Sequence, residues 1–278
     1  MQVLVVGGCG YIGSLVVQKL KNDQNNLVSI VDLIDGDGRR YQEIAPDEIR
    51  EFNVVVWLAG HSSVAKSVSD PVGALRNNLV DLYEFGRKLA KEQMMIYASS
   101  ASVYNRPDAS VAFETDELQP PINAYDLSKK WFDEIVRQLD CQTYGLRFGT
   151  VSGLSPNMRE DLIVNAMVKS GLQNGYVTVR NELKWRSILG TSDLFRAINY
   201  VKNECPETGI YNVASESATI GEIGNRVATV LGVPVRIESS DGTYNFQIST
   251  KKLQERTSWR PLETVESLSA DLLSALSV

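Results

Sequence analysis

The segment VLVVGGCGYIGS, residues 3–14, sets glycines at 7, 10 and 13 between an apolar run and a stretch with helical spacing. Few folds accept that arrangement. Gly7 permits a tight turn at the end of a strand, Gly10 lets backbone come close to a pyrophosphate, and Gly13 lets a helix lie against the strand. The helix N-terminus then presents free N–H groups and a partial positive charge to phosphates. Glycine-rich turns are common, so the triplet alone says little. With a strand before it and a helix after it, it reads as a dinucleotide-binding loop. Asp32 lies about twenty residues further on, where an acid accepts hydrogen bonds from the adenosine ribose and repels a 2′-phosphate. That favours NAD. Arg39 and Arg40 lie close enough to leave NADP open, and neighbouring Asp35 and Asp37 leave open an exposed turn acid at Asp32.

The pattern repeats downstream. Val3–Val6, Leu27–Val31, Val54–Leu58, Met94–Ala98 and Thr143–Arg147 read as buried strands, with Tyr11–Lys21, Gly73–Lys91 and Ala124–Leu139 as helices between them. Alternation of this kind implies right-handed βαβ crossovers and a parallel sheet covered on both faces. The expected fold is α/β, a Rossmann-type doubly wound parallel sheet with a small α+β cap at the C-terminal end. The division expected is 1–150 for the dinucleotide-binding domain and 151–278 for the cap, with segments near 185–215 interleaved. In the second half, Asp161–Ser170, Ser192–Lys202, Ile220–Leu231, Ser249–Glu255 and Val265–Ala275 read as helices. Ile210–Val213 and Pro234–Glu238 read as extended. Between Asp32 and Val54 there is one weak strand candidate, Tyr41–Ile44, so this edge of the sheet is expected to be abbreviated.

Composition narrows the function classes. A net charge of −6 and a pI near 5.0 argue against a nucleic-acid surface, which would carry a basic patch. An anionic substrate must be held by local Arg, Lys and backbone N–H groups. No stretch approaches the roughly 20 apolar residues of a membrane span, and no secretory leader pattern opens the sequence. A cytoplasmic location is expected. Cys9, Cys141 and Cys205 are scattered, which fits neither a disulfide framework nor a metal site.

Tyr125 and Lys129 are spaced i, i+4, so on a helix they share a face one turn apart. An ammonium near the phenol would lower its pKa toward the working range, letting Tyr125 take a proton from a sugar hydroxyl as hydride leaves. Ser99 and Ser100 end the preceding strand, the edge at which parallel sheets bind ligands, and Ser100 is placed to hydrogen-bond the substrate oxygen. The sole histidine, His61, follows the strand before. It offers an added acid/base, but a hydrogen-bonded packing role is the plainer reading.

Taken together, the glycine loop, WLAGHSSVAKSVSDP, RNNLVDLYEFGRKLA, SSASVY, NAYDLSKK, LRFGTVSG, DLIVNAM, WRSILGTSDLFRAI and GIYNVAS resemble the extended short-chain dehydrogenase/reductases, specifically the nucleotide-sugar epimerase and dehydratase group. The resemblance implies that Ser100, Tyr125 and Lys129 are catalytic. It places Tyr11, Ile12, Leu58, Ala59, Gly60 and Asn78 around the cofactor with the glycines and Asp32. Asn165 and Arg186 then match residues near a substrate diphosphate, for which a guanidinium is suited. Ser62 and Thr150 stand at substrate positions where relatives carry lysine and asparagine. Ser187 replaces an aspartate and Trp57 a histidine. These departures leave the hexose and the sugar position open.

Dehydratases of this group carry an Asp–Glu pair directly after the catalytic hydroxyl, whereas here Ala101 and Ser102 follow Ser100. The resemblance therefore implies an NAD-dependent epimerase of a nucleotide-diphosphate sugar, with C4 favoured. A nucleotide-sugar dehydrogenase, a 4-keto-sugar reductase and a non-catalytic dinucleotide-binding protein are the alternatives. It also implies a homodimer through the Tyr125 helix and the Gly73–Lys91 helix, in keeping with the apolar surplus Trp131, Phe132, Ile135, Val136 and Leu139.

Overall fold

A computed structural model of the chain describes residues 1–32, 40–204, 207–240 and 242–277. Asp35, Asp37, Arg39 and Cys205 lie outside the described residues. Six parallel strands form the central sheet, in the order Gly209–Val213, Gln142–Phe148, Met94–Ser100, Val54–Trp57, Gln2–Val6, Leu27–Val31. The chain winds outward from Gln2–Val6 to one edge, then restarts on the other side with Val54–Trp57. The crevice between those two strands is the switch point where such sheets bind ligands.

Alternation along the strands sets the two layers. Val3 and Val5 face a core completed by helix Tyr11–Lys21 and helix Thr191–Glu204, while Leu4 and Val6 face one containing Leu82, Phe85 and Phe132. Burying each such side chain stabilises by about 1.5–3 kcal/mol, so a strand covered on both faces needs no polar face. A third apolar cluster, including Met167, Val179, Ile188, Ile223 and Leu268, is the core of the C-terminal cap. There Trp185–Gly190 joins Thr150–Ser152 and Glu216–Thr219 in a separate sheet.

Four readings are corrected. Tyr41–Ile44 is not a strand: Tyr41–Glu43 is a short 3-10 turn followed by helix Pro46–Ile49, started by Pro46. Tyr41 is turned inward, its ring 4.9 Å from Trp57 and its phenol bonded to Asp81. Gly73–Lys91 is not one regular helix. It divides into Pro71–Leu75, a π turn at Arg76–Val80 and Asp81–Gly86. The helix expected at Asp161–Ser170 begins at Ile163 and runs to Asn174, because Asp161 is held in the preceding loop by Arg159. The helix expected at Ser249–Glu255 spans Lys251–Arg256.

Candidate active site

All six parallel strands end along one edge, and the residues singled out above collect there. Gly7 has φ of 85°, and a Cβ on it would stand 2.4 Å from the Ala59 nitrogen. A Cβ on Gly13 would stand 1.9 Å from the Gly7 oxygen. Both positions are closed to any side chain. Gly10 differs, since a Cβ there would meet only the Gly7 oxygen, at 3.6 Å. It faces open space above the start of helix Tyr11–Lys21, whose first turn has no side-chain cap. This is the cradle a pyrophosphate needs. Asp32 accepts the Cys9 N–H at 2.7 Å, which holds its carboxylate beside the loop.

Leu58, Ala59 and Gly60 continue the crevice, and the π turn presses Asn78 into it. Asn78 is 1% exposed; its Nδ2 donates to the His61 carbonyl at 3.1 Å and to Ser128 Oγ at 3.2 Å. Its Oδ1 is buried without a hydrogen-bond partner. Open space at Gly10, a fixed acid at Asp32 and an orphaned acceptor at Asn78 together fit an adenine dinucleotide.

Next to the crevice lies a cavity of about 290 Å³, lined by Tyr11, Ile12, Ser62, Ser100, Tyr125, Lys129, Thr150, Arg159, Arg186, Tyr244 and Phe246 among others. Helix Ala124–Ile135 delivers the central pair. Asn123 caps it by accepting the Asp126 N–H at 2.9 Å, which fixes the turn carrying Tyr125. Lys129 lies one turn on, its Nζ 5.7 Å from the Tyr125 ring centre and donating to the Ala98 carbonyl at 2.7 Å. Burial pushes the Lys129 ammonium down to about 8, opposed by the charge of Asp133.

The electrostatics depart from expectation at Tyr125. Its phenol is raised, not lowered, chiefly by burial. Hydrogen bonding with Ser100 and the charge of Arg159 pull it down, while Asp126 pushes it up. Arg159 is the cation among these causes, and its pull is the smallest of the four. That guanidinium is paired with Asp161 at 2.6 Å, and one nitrogen lies 3.3 Å from Ser62 Oγ. Arg186 is 6% exposed, with its guanidinium 5.2 Å from the Phe246 ring centre and donating to Thr243 at 2.6 Å. Burial pushes it down to about 10, so a charge-bearing donor is held in a dry wall of the cavity.

Not every candidate reaches the cavity. Asn165 is 2% exposed and spends its amide on the loop, accepting from the Gly153 N–H at 2.9 Å and donating to the Arg159 carbonyl at 2.8 Å. It braces the segment that carries Arg159. Ser99 borders the cavity as Ser100 does, but its hydroxyl is spent on the buried Asp133, to which it donates at 3.0 Å. His61 is bonded, with Nδ1 2.9 Å from Asn77 Nδ2 and Nε2 3.6 Å from an Asp70 oxygen. Three lining residues, Arg159, Tyr244 and Phe246, carry no recognisable motif in sequence. The signal for Arg159 was an Arg-x-Asp pair within a Pro-led loop. Tyr244 and Phe246 reach the cavity from a segment far along the chain.

A profile described as the NAD dependent epimerase/dehydratase family matches residues 3–214. A bifunctional UDP-glucose 4-epimerase and UDP-xylose 4-epimerase of Arabidopsis thaliana is 31% identical over 166 residues, 49% of this chain and 47% of that protein. A UDP-glucose 4-epimerase of Streptococcus mutans is 30% identical over 186 residues, covering 56% of this chain and 54% of that one. The aligned part thus spans about half the length of these curated relatives. Among solved structures, the UDP-glucose 4-epimerase of Thermus thermophilus in complex with NAD superposes with a TM-score of 0.80 at 25% identity, over 99% of this chain and 100% of the other. The fold is likewise shared with a UDP-glucuronic acid 4-epimerase from Bacillus cereus, at TM-score 0.86, 18% identity and 100% and 99% coverage.

Proposed function

Because the chain belongs to the NAD dependent epimerase/dehydratase family, we propose that it inverts a ring carbon of a nucleotide-diphosphate sugar, C4 favoured, with NAD as its cofactor. The observation that carries this is the meeting of Ser100, Tyr125 and Lys129 in a cavity open to the glycine crevice, with Arg186 in its wall. The glycine loop, Asp32, Leu58–Gly60, Asn78 and Lys129 hold the dinucleotide. NAD, when bound, supplies a hydride acceptor that later gives the hydride back. Tyr125 takes the proton from the sugar hydroxyl and returns it, and Ser100 orients that oxygen. Arg186 grips the diphosphate, with Ser62 and Thr150 on the sugar side. The cavity must let the keto sugar turn over while the diphosphate stays anchored.

Ala101, buried directly after Ser100, supports epimerisation over water elimination, because elimination needs an acid/base pair that a methyl group cannot provide. Relatives acting on UDP-glucose and UDP-xylose make a uridine diphosphate sugar the first substrate to try. Val68, Val72 and Trp131 stand 66%, 75% and 52% exposed on neighbouring helices, which supports a homodimer through that face. We assign residues 1–150 to the cofactor domain and 151–278 to the substrate cap. A cytoplasmic setting suits the buried thiol of Cys141, which forms no disulfide.

The test is Tyr125→Phe in an epimerisation assay on UDP-sugars. Turnover is expected to fall by about 10²–10⁴-fold with NAD binding retained. Unchanged turnover, or stoichiometric build-up of reduced cofactor by the parent enzyme, would overturn the reading.

A further inference from the structure

Residues 243–248 lie along the strand Trp185–Gly190, which carries Arg186. The Phe246 N–H donates to the Trp185 carbonyl at 3.2 Å, Asn245 Oδ1 accepts the Trp185 N–H at 2.8 Å, and the Ile248 N–H donates to Ser187 Oγ at 3.0 Å. Thr243 accepts from Arg186 Nη2 at 2.6 Å, and Phe246 supplies the ring beside the guanidinium. The segment is thus one body with the proposed diphosphate anchor. Asn245 also ties it to the turn at 105–107, its N–H donating to Asn105 Oδ1 at 3.0 Å and its Nδ2 to the Arg106 carbonyl at 2.9 Å. None of these bonds reaches the helix that delivers Tyr125.

Tyr244 does reach it. Its hydroxyl donates to Asp126 Oδ2 at 2.9 Å and accepts from Asn123 Nδ2 at 2.6 Å, while Asn123 Nδ2 also donates to that carboxylate oxygen at 3.1 Å. Asn123 caps helix Ala124–Ile135 and Asp126 sits in its first turn, so the two stand on either side of Tyr125. Asp126 is 2% exposed, and its Oδ1 accepts from Ser102 Oγ at 2.7 Å, two residues beyond Ser100. Among the described residues, both hydrogen bonds from 243–248 to this helix and its cap end on the Tyr244 oxygen. A phenol has one proton to give, and Asp126 takes it. Burial raises the Tyr244 phenol, so that proton stays in place. Tyr244 lines the cavity with its ring, yet it has no donor left for a substrate.

We propose that Tyr244 is a positioning residue that sets the reach between the Arg186 anchor and the Tyr125 base, by pinning the wall around Arg186 to the helix turn around Tyr125. This rests on the reading of Tyr125 as base and Arg186 as anchor. A sugar nucleotide is held at its diphosphate and reacts at its ring. The reacting hydroxyl is therefore placed only as well as anchor and base are placed relative to each other. A misplacement of about 1 Å can lower the rate by about 10²-fold. An epimerase meets this demand twice, because the ring must face the phenol before and after it turns over. Asp126 makes the junction stiff by gathering donors from three elements: the strand end at Ser102, the helix cap at Asn123 and the wall at Tyr244.

A tie that served folding alone would show in melting and in nucleotide affinity as much as in rate. Positioning separates them. When the Tyr244 oxygen is removed, Arg186 keeps its own bonds to the Trp185 carbonyl and to Thr243, so the grip survives while its place relative to Tyr125 loosens.

The experiment compares Tyr244→Phe with the parent, both loaded with NAD. The readouts are kcat and KM on the UDP-sugar that the parent turns over fastest, UDP affinity by calorimetry, and thermal melting. The ring stays in the wall and both hydrogen bonds are lost. kcat is expected to fall by about tenfold, equally from neutral to alkaline pH, with KM and UDP affinity within about twofold of the parent. Asn123→Ser keeps a good helix cap and removes only the amide donor. It should lower kcat by about threefold, and should add nothing to Tyr244→Phe, because both act through one junction. If Tyr244→Phe melts below the assay temperature, the split between rate and affinity is read in Asn123→Ser alone. Unchanged kcat, or a loss matched by an equal loss of UDP affinity, overturns the positioning role. So does a loss that varies with pH, which would place the junction in the proton transfer, and so do losses that multiply in the double variant. Arg186→Leu, run beside them, should lose UDP affinity; if it does not, the anchor itself falls. A parent that binds no UDP and turns over no UDP-sugar overturns the underlying reading instead.

Discussion

The two sides of the cavity are built in opposite ways. The side proposed for the cofactor is made of backbone and missing side chains: glycines at 7, 10 and 13, an uncapped helix start and one acid. The side proposed for the substrate is made of large side chains, Arg159, Arg186, Tyr244 and Phe246, drawn from loops and strands far apart in the chain. A dinucleotide offers the same phosphates and riboses to every enzyme that uses it, so a short contiguous motif suffices. Sugars differ at single hydroxyls, and a wall assembled from many segments can be altered one residue at a time.

If that contrast is right, substitutions on the two sides should fail differently. Gly13→Val has the largest expected effect. Its side chain would meet backbone at contact distances no Cβ tolerates, so both melting temperature and NAD binding should collapse, by about 3 kcal/mol or more in stability. A variant that melts like the parent would break the comparison. Arg186→Leu should leave the fold intact and raise KM for the sugar nucleotide by about 10–100-fold, the value of a charge-assisted hydrogen bond, with little change in NAD affinity. An effect on NAD binding instead would move Arg186 to the other side. Gly10→Ala sharpens the contrast within the loop. Its Cβ enters open space, so stability should hold while NAD affinity drops by about tenfold, or about 1.4 kcal/mol.

The smallest effect lies on the seam. Glu263 accepts the Asp193 N–H at 2.7 Å and joins the cap to helix Thr191–Glu204. Burial, with the charge of Asp193, raises its carboxyl from 4.5 to about 7. The folded state therefore binds the proton more tightly than the unfolded state. Its contribution is fully present below pH 4.5 and is lost as pH rises through about 7. Thermal melts across that window should show the parent losing stability with rising pH and Glu263→Gln losing less. Parallel curves would show that the seam is not titrating.

The same contrast explains what the sequence disclosed. Strand and helix limits such as Leu27–Val31, Tyr11–Lys21 and Ile220–Leu231 follow from local periodicity and are found where it puts them. The glycines, Tyr125 and Lys129 are legible because their chemistry demands fixed spacing. The Tyr41 turn and the π turn at Asn78 were not, because tertiary contacts decide them: Tyr41 under Trp57, and Asn78 against His61 and Ser128. Arg159 and Tyr244 acquire meaning only beside Tyr125, an adjacency created by folding. The raised phenol at the base was not legible either, since its largest cause is burial, which the spacing of Tyr125 and Lys129 does not carry.

The edge strand Gly209–Val213 pairs with Gln142–Phe148, yet about sixty residues are made between them. A ribosome that has just finished Phe148 holds a sheet with an open edge. Tyr144 and Leu146 then await cover from helix Thr191–Glu204, which has still to emerge. An unpaired apolar edge is the surface on which nascent chains stick to one another. Translation therefore carries this chain through a vulnerable interval that closes only when Val213 leaves the exit tunnel. Chaperone demand during synthesis is set by the order in which the strands are written.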